Sequence, residues 1–292
     1  MMRILVIGTG GQVGHELLTT LAPLGEVLGV DYPEIDLANP GALVALCREA
    51  KPSLIVNAAA YTAVDKAESE PQLAHAINGT APGVLAGEAR RLDAVLVHYS
   101  TDYVFDGTKR RPYRENDVPA PLNEYGRSKL AGDVAIAQSG CKHLIFRTTW
   151  VYGPRGKNFL LTMLALAASR EELRIVADQR GAPTSSLFLA EATARALRAI
   201  PEQGVASGIY NLSAAGETTW ADFANAIFAR AAARPGFRAP RVVPIASSEY
   251  PTPAARPAYS VLSHGRFTGA FGFAPSGWEA QLDEVMQRLP AA

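Results

Sequence analysis

Tyr125 and Lys129 are a pair whose types and spacing suit proton transfer. They lie four positions apart in the segment YGRSK, so a helix beginning there would place both side chains on one face. An ammonium group beside a phenol stabilises the phenolate and lowers the pKa of the tyrosine from its usual value of about 10. The pair alone leaves two interpretations open: a surface helix with a chance pairing, and an acid that works near neutral pH.

Hydroxyl side chains precede that helix at the end of a predicted strand. Ser100 and Thr101 follow the apolar run at 94–100, and ligands bind beyond the carboxyl ends of strands in open α/β sheets. The alternative is that these hydroxyls only bend or cap the chain. Carbonyl reduction needs such a set: Thr101 would hydrogen-bond the substrate oxygen, Tyr125 would protonate it, and Lys129 would also hold the nicotinamide ribose.

A glycine-rich turn, GTGGQVG at 8–14, follows the first predicted strand and opens a helix. Gly8 permits a tight turn, Gly11 lets the backbone approach a pyrophosphate, and Gly14 lets the helix pack closely on the strand. The pattern favours dinucleotide binding over a merely flexible turn. The small residues of NAAA at 57–60 would either let a nucleotide lie along the sheet edge or simply pack beneath a helix.

Asp31 ends the second predicted strand, where a carboxylate accepts hydrogen bonds from the adenosine ribose. No Arg or Lys lies between positions 26 and 47 to meet a 2′-phosphate. The sequence therefore favours NADH over NADPH, and both stay open.

Strands and helices alternate through the first half of the chain. Near-continuous apolar runs predict strands at 3–8, 26–31, 53–60, 94–100 and 142–150, with helices between them at 12–24, 40–50, 71–92 and 124–138. This order predicts an α/β fold with a doubly wound, Rossmann-like parallel sheet in a dinucleotide-binding domain at residues 1–150.

The second half is less regular, and we expect residues 151–292 to form mainly a smaller α+β substrate-binding lobe, with some segments returning to the first domain. Predicted helices lie at 157–169, 186–200, 218–233 and 276–289, and predicted strands at 173–176, 208–212 and 241–245. Proline gathers between 235 and 257, which suggests a loop or lid over a pocket.

Charge and composition narrow the classes of partner. Lys+Arg and Asp+Glu both number 28, so nothing favours nucleic acid, and a small molecule is expected. Cys47 and Cys141 are isolated, and the five histidines show no ligand spacing, so no metal site is predicted. The apolar stretch at 159–168 is too short to span a membrane. We expect a cytoplasmic monomer or homodimer.

Together these motifs resemble the extended short-chain dehydrogenase/reductases and, within them, the dTDP-4-dehydrorhamnose reductase family. The resemblance rests on NAAAYTAVDKAES (57–69), HYSTDYVFDGT (98–108), LNEYGRSKLAGD (122–133), FRTTWVYG (146–153), DQRGAPT (178–184) and YPTPAARP (250–257). It implies reduction of the 4-keto group of dTDP-4-dehydro-L-rhamnose to dTDP-L-rhamnose by hydride transfer from NADH or NADPH.

The resemblance also implies a set of site residues, which the motifs above extend. The catalytic residues would be Thr101, Tyr125 and Lys129. The cofactor would be bound by Gly8, Gly10, Gly11, Gln12, Val13, Gly14, Asp31, Asp36, Leu37, Ala58, Ala59, Ala60 and Tyr61, with Tyr125 and Lys129. The nucleotide sugar would contact Thr101, Asp102, Tyr125, Trp150, Asn158, Arg180 and Arg256.

Neighbouring activities remain as alternatives. Related dehydratases carry Thr-Asp-Glu at this strand end, and Tyr103 in the third position cannot supply that carboxylate. Another nucleotide-sugar 4-ketoreductase, an epimerase, or a non-catalytic dinucleotide-binding regulatory subunit stays open. Some relatives use Mg2+ between subunits, where Glu16 would be one ligand; here the partner position is Leu187, with Glu191 one turn on, which makes Mg2+ doubtful.

Overall fold

The structure, a computed structural model, describes residues 2–203 and 207–290. Its strands are β1 (Met2–Ile7), β2 (Gly25–Val30), β3 (Leu54–Asn57), β4 (Val95–Thr101), β5 (Lys142–Thr148), β6 (Val151–Tyr152), β7 (Glu172–Val176), β8 (Arg180–Gly181), β9 (Thr184–Ser185), β10 (Gly208–Asn211), β11 (Thr218–Thr219) and β12 (Arg241–Ile245). Its helices are α1 (Gln12–Leu21), α2 (Pro40–Ala50), α3 (Val64–Ala67), α4 (Pro71–His75), α5 (Ala81–Arg91), α6 (Glu124–Gln138), α7 (Phe159–Ala167), α8 (Ser186–Gln203), α9 (Trp220–Ala231), α10 (Gly265–Phe271) and α11 (Trp278–Arg288), and a π-helical turn (Ala76–Thr80) joins α4 to α5.

Six parallel strands form the central sheet in the order β2-β1-β3-β4-β5-β10. Their apolar side chains are buried on both faces. One face packs against α1, α8 and α10, and the other against α2, α5 and α6. The predicted α/β, doubly wound parallel sheet is confirmed. Because strand order reverses at β1, a crevice forms beyond the carboxyl ends of β1 and β3.

A second hydrophobic core lies outside the sheet. It gathers Tyr152, Leu160, Phe223, Leu282 and neighbouring apolar side chains from α7, α9 and α11, beside the parallel pair β7–β12. Although β10 comes from the second half of the chain, it extends the main sheet next to β5, and α8 packs against α1. The division predicted at residue 150 stays a prediction.

The helix that carries the Tyr–Lys pair begins as its sequence suggests. Asn123 caps α6, since its side-chain oxygen accepts a hydrogen bond from the Gly126 N–H at 2.8 Å. Tyr125 and Lys129 therefore lie one turn apart on the helix. Throughout the described ranges, no helix is both long and apolar enough to cross a bilayer.

Several boundaries differ from the predicted ones. The third strand ends at Asn57 rather than at 60, because the Asn57 side chain accepts a hydrogen bond from the Ala59 N–H at 3.3 Å where the chain turns. The fifth ends at Thr148, before Trp150 adopts a left-handed φ of 46°. The unpredicted elements are two-residue strands and short helices, which carry too few residues to show a period.

Candidate active site

The glycine turn between β1 and α1 has the geometry of a phosphate cradle. Gly8 has φ 93°, and a Cβ there would lie 2.6 Å from the Ala59 backbone nitrogen. A Cβ on Gly14 would lie 1.9 Å from the Gly8 carbonyl oxygen, so helix and turn could not approach this closely with side chains. Gly11 offers α1 no side-chain cap, and the first N–H groups of the helix have no intrahelical partners. They can donate to an anion.

Asp31 lies at the carboxyl end of β2 and is tied to this turn. Its carboxylate accepts hydrogen bonds from the N–H groups of Gly10 (2.5 Å) and Tyr32 (2.8 Å). A Cβ on Gly10 would meet the same carboxylate at 2.4 Å, so a larger residue there would displace the Asp31 side chain. Asp31 is partly exposed and lines the cleft.

The cleft above the sheet has a volume of about 450 Å³. It is lined by Gly8, Gly10, Gly11, Gln12, Val13, Asp31, Ala58, Ala59, Ala60, Thr62, Tyr99, Ser100, Tyr125, Lys129, Thr148, Val151, Gly156 and Lys157. The structure thus brings most of the predicted cofactor residues to the same cleft as Tyr125 and Lys129.

Four predicted cofactor residues do not line this cleft: Gly14, which packs on the glycine turn, and three residues with other contacts. Asp36 is exposed and accepts a hydrogen bond from the Ala38 N–H, and Leu37 is in the hydrophobic core. The Tyr61 hydroxyl donates to Glu70 at 2.8 Å. None of the three side chains lines the cleft. Their contact with a cofactor stays a prediction.

Tyr125 is half-buried and is hydrogen-bonded to Thr101. Burial raises the pKa of Tyr125 above its usual value, and the hydrogen bond with Thr101 only partly opposes that rise. The expectation of a lowered pKa is therefore wrong, because burial outweighs the favourable contacts. Tyr125 is neutral at physiological pH and can donate a proton.

Lys129 is buried beside Tyr125, with 2% of its surface exposed. Its ammonium nitrogen donates to the Tyr99 carbonyl oxygen at 2.6 Å and lies 3.3 Å from Nε2 of His98. Burial lowers the pKa of Lys129 to about 8, although Asp133 opposes this shift. His98 is a residue that sequence reasoning missed. The sequence feature that could have identified it is the presence of a histidine inside the apolar run of β4, three positions before Thr101.

Asp102 supports Thr101 from below. Its carboxylate is fully buried and accepts hydrogen bonds from the hydroxyls of Thr101 (3.0 Å) and Thr149 (2.8 Å). Burial raises the pKa of Asp102 to about 6. Both carboxylate oxygens thus hold neighbouring hydroxyls, and the expected contact between Asp102 and a sugar stays a prediction.

Two predicted sugar-binding residues make structural contacts instead. The Trp150 indole stacks on Trp220 with ring centroids 3.5 Å apart, and it does not line the cleft. Asn158 is buried, caps α7, and donates from its amide to Gln12 at 2.9 Å. Both side chains join the sheet domain to the second core.

The two predicted phosphate-binding arginines have carboxylate partners. Arg180 pairs with Glu217 at 3.1 Å and lines neither pocket. Arg256 pairs with Asp65 at 2.8 Å and lines a second pocket of about 490 Å³. That pocket is formed by Phe159, Thr162, Met163, Leu166, Leu173, Arg174, Ile175, Val176, Gln179, Trp220, Tyr250, Thr252 and Arg256.

Lys157 is a cation of the first cleft that sequence reasoning also missed. It follows Gly156, where a Cβ would lie 3.2 Å from Gln12 at the start of α1. Among the side chains that the structure describes, no carboxylate lies within 4.0 Å of its ammonium group. Neighbouring Arg155, in contrast, faces Glu16 at 3.7 Å.

Glu16, the position at which some relatives would bind Mg2+, faces Arg155, and Leu187 is in the core. Within residues 2–203 and 207–290, the described side chains contain no cluster of three His, Cys, Asp or Glu residues able to hold a metal ion.

Known proteins of similar sequence and structure share this organisation along the whole chain. The family model "RmlD substrate binding domain" matches residues 2–290. A dTDP-4-dehydrorhamnose reductase of Burkholderia thailandensis is 51% identical over 95% of both chains. The crystal structure of a dTDP-4-dehydrorhamnose reductase from Clostridium acetobutylicum has a TM-score of 0.91 at 36% identity, covering 98% of this chain and 99% of that one. A Bacillus anthracis dTDP-4-dehydrorhamnose reductase in complex with NADP has a TM-score of 0.90 at 34% identity, with the same coverage. On this evidence the chain belongs to the dTDP-4-dehydrorhamnose reductase family.

Proposed function

We propose that this protein reduces the 4-keto group of dTDP-4-dehydro-L-rhamnose to dTDP-L-rhamnose with NADH or NADPH. Its relatives over nearly the whole chain carry the name of that activity. The observation that carries the proposal is the convergence of the glycine cradle, Tyr125 and Lys129 on one cleft. A regulatory dinucleotide-binding protein would not need a buried lysine and a proton-donating tyrosine there.

The residues of the cleft fit a dinucleotide. The glycine turn and the N-terminus of α1 would bind the pyrophosphate, and Lys157 would add a positive charge at the same place. Asp31 would accept hydrogen bonds from the adenosine ribose, and Lys129 would hold the second ribose through an N–H group directed to the cleft. A bound reduced nicotinamide supplies the hydride that the ketone carbon receives.

Tyr125 would protonate the oxygen of the ketone. Its raised pKa keeps the phenol neutral, so its proton is available to the alkoxide oxygen that hydride addition forms. Thr101 would hydrogen-bond the same oxygen from β4 once its hydroxyl turns away from Asp102, to which it donates at 3.0 Å in the structure.

The second pocket suits the nucleotide part of the substrate. Aromatic rings of Phe159, Trp220 and Tyr250 would stack on the thymine base, and the guanidinium groups of Arg174 and Arg256 would face the diphosphate. The Trp150–Trp220 stack lies between β5 and this pocket. We place the protein in the cytoplasm, as a monomer or homodimer.

The choice between NADH and NADPH turns on two residues. Asp31 repels a 2′-phosphate, whereas Lys157 attracts any phosphate near the cradle. The Bacillus anthracis relative is described with NADP. We therefore propose that both cofactors are accepted.

The test is turnover by the purified full-length chain. With dTDP-4-dehydro-L-rhamnose, the absorbance of NADH or NADPH should fall in proportion to the dTDP-L-rhamnose formed. Conversion of the sugar without net oxidation of cofactor would favour an epimerase. Tight cofactor binding without any turnover would favour a regulatory protein and contradict the proposal.

A further inference from the structure

Two buried polar side chains, His98 and Asn57, form a row that leads away from the nitrogen of Lys129, and neither of them lines the cleft. Nε2 of His98 is 3.3 Å from the lysine nitrogen, and Nδ1 of the same ring is 3.2 Å from Nδ2 of Asn57. His98 and Asn57 each have 1% of their surface exposed. Both come from neighbouring central strands, β4 and β3, where they are direct partners in the parallel register. Their positions are therefore fixed by the sheet.

Hydrogen-bond donors and acceptors must alternate along Asn57, His98 and Lys129, so the protonation state of one group constrains the next. The Asn57 side-chain oxygen accepts from the Ala59 N–H, so its amide NH2 is directed to Nδ1 of His98. A neutral imidazole that accepts at Nδ1 carries its proton on Nε2. That proton points at Lys129, where only the lone pair of a neutral amine can accept it. An ammonium group at Lys129 instead requires a lone pair on Nε2.

We propose that Asn57 and His98 form a hydrogen-bond switch, in which the tautomer of the neutral imidazole follows the protonation state of Lys129. With Lys129 as an amine, His98 carries its proton on Nε2 and accepts from Asn57. With Lys129 as an ammonium, His98 carries its proton on Nδ1, and the Asn57 amide turns over so that its oxygen accepts. In that second state Asn57 gives up the 3.3 Å hydrogen bond from the Ala59 N–H. Asn57 and His98 are positioning residues, since they act through Lys129.

The titration of each group fits the two states. Burial and the nearby Lys129 hold the pKa of His98 well below its usual value, so the ring stays neutral. Lys129 titrates at about pH 8, because burial lowers its pKa. The switch would therefore operate just above neutral pH.

Other charged groups face Lys129 from the elements packed around it. Asp133 lies one turn further along α6 and raises the lysine pKa. Asp133 is itself paired with Arg147 of β5 at 3.1 Å, which limits its influence. Tyr125 precedes Lys129 on the same helix, and Asp102 follows the end of β4. In the described part of the chain, neither group is hydrogen-bonded to the side chain of His98 or Asn57.

The expected effect of the switch on kcat rests on the proposed reductase activity. The tautomer of His98 does not, because it can be measured without turnover. NMR of the full-length protein, labelled with 15N in its histidine rings, distinguishes Nδ1–H from Nε2–H. We expect the His98 signals to change from the Nδ1–H to the Nε2–H tautomer as the pH rises through about 8. A single tautomer on both sides of that pH, or a charged imidazole at neutral pH, would overturn the proposal.

Two variants test the coupling through the rate. In Asn57→Asp the carboxylate can only accept, so the Nδ1–H tautomer and the ammonium at Lys129 are favoured. The decrease of kcat in basic solution should begin about one pH unit higher than in the unaltered protein. At a given basic pH, the relative rate should therefore be roughly tenfold greater. The carboxylate of Asn57→Asp also favours the ammonium at Lys129 directly, through its negative charge. Combining it with His98→Gln removes the imidazole, so the part of the pH shift that passes through His98 should disappear.

His143→Gln serves as the matched control. His143 is a buried histidine on β5 that is bonded to the Cys141 carbonyl oxygen rather than to Lys129, and its loss should leave the pH profile unchanged. An Asn57→Asp shift that persists in full without His98 would show a purely electrostatic effect and overturn the switch. Should these variants not fold, the tautomer measurement on the unaltered protein still decides the question.

Discussion

Tyr125 and Lys129 divide the chemistry of the cleft between a neutral acid and a buried base. Burial raises the pKa of the phenol and lowers that of the amine, so both shifts favour the uncharged form. The tyrosine can therefore act as a proton donor without first losing its proton to solvent. The positive charge at Lys129 is held at a cost in folding free energy.

That cost gives a prediction about pH. The folded-state pKa of Lys129 is about 8, against 10.5 for an unburied lysine, so the unfolded chain binds more protons between these pH values. The free energy of unfolding contributed by Lys129 should therefore rise as the pH increases through this window, by up to about 3 kcal/mol. Lys129→Met should remove this component.

The measurement is urea denaturation of both proteins at several pH values. Because other groups titrate in the same window, the quantity of interest is the difference between the two curves. Identical pH dependence in the wild type and in Lys129→Met would contradict a buried, titrating lysine.

Single residues show where sequence reasoning reaches its limit. Gly8, Asp31, Tyr125 and Lys129 were predicted to meet because strand ends and helix starts converge at one edge of a parallel sheet. The direction of the Trp150 ring was not predictable, since it depends on Trp220, seventy positions later in the chain. His98 was overlooked because its partners, Asn57 and Lys129, come from two other elements.

At the scale of elements, α6 is held against the π-helical turn at Ala76–Thr80. A Cβ on Gly132 would lie 2.2 Å from the Asn78 carbonyl oxygen, so this helix contact needs a glycine. Asn78 also donates to the Ser128 hydroxyl at 3.0 Å. The packing of α6 against this turn therefore fixes the positions of both Tyr125 and Lys129.

Gly132→Ala should therefore both destabilise the protein and slow it. Overpacking of this kind costs roughly 1–3 kcal/mol, and a displaced α6 should lower kcat. Gly87→Ala is the matched control: a Cβ there meets nothing within 4 Å, and the change should stabilise α5 by roughly 0.5–1 kcal/mol. Thermal unfolding and steady-state rates distinguish the two, and equal stability in both variants would refute the packing argument.

Element prediction succeeded where the signals were long. The bounds of α2 and α6 coincide with the helical segments read from the sequence, since proline or a cap marks each start. The π-helical turn inside the segment at 71–92 was not predictable, because it arises from packing against α6 rather than from local preference. The same holds for the two-residue strands, whose partners lie far away in sequence.

At the scale of the whole molecule, hydrogen bonds and an ion pair join the sheet domain to segments from the second half of the chain. The Asn158 amide donates to Gln12 beside the phosphate cradle, and Arg256 pairs with Asp65 of α3. The segment at 250–257 is also held through the Asn123 amide, which donates to the Ala255 carbonyl oxygen at 2.7 Å. The proline-rich segment is thus fastened directly beside α6.

The Asp65–Arg256 pair should act on substrate binding. Asp65→Asn and Arg256→Gln should each raise the KM for the nucleotide sugar several-fold with little change in kcat. The double variant should be scarcely worse than Arg256→Gln alone, because both changes break one link. Arg288→Gln, which removes a surface pair with Glu284, should leave KM unchanged. Fully additive effects in the double variant would contradict the link.

The central claim is that Tyr125 donates the proton in a reduction at this cleft, and Tyr125→Phe tests it most directly. The variant keeps the ring and loses only the hydroxyl, so cofactor binding, followed by fluorescence of the reduced nicotinamide, should be retained. The account predicts a fall in kcat for dTDP-4-dehydro-L-rhamnose of about 100-fold or more. A variant that binds cofactor and turns over at the rate of the unaltered protein would contradict it.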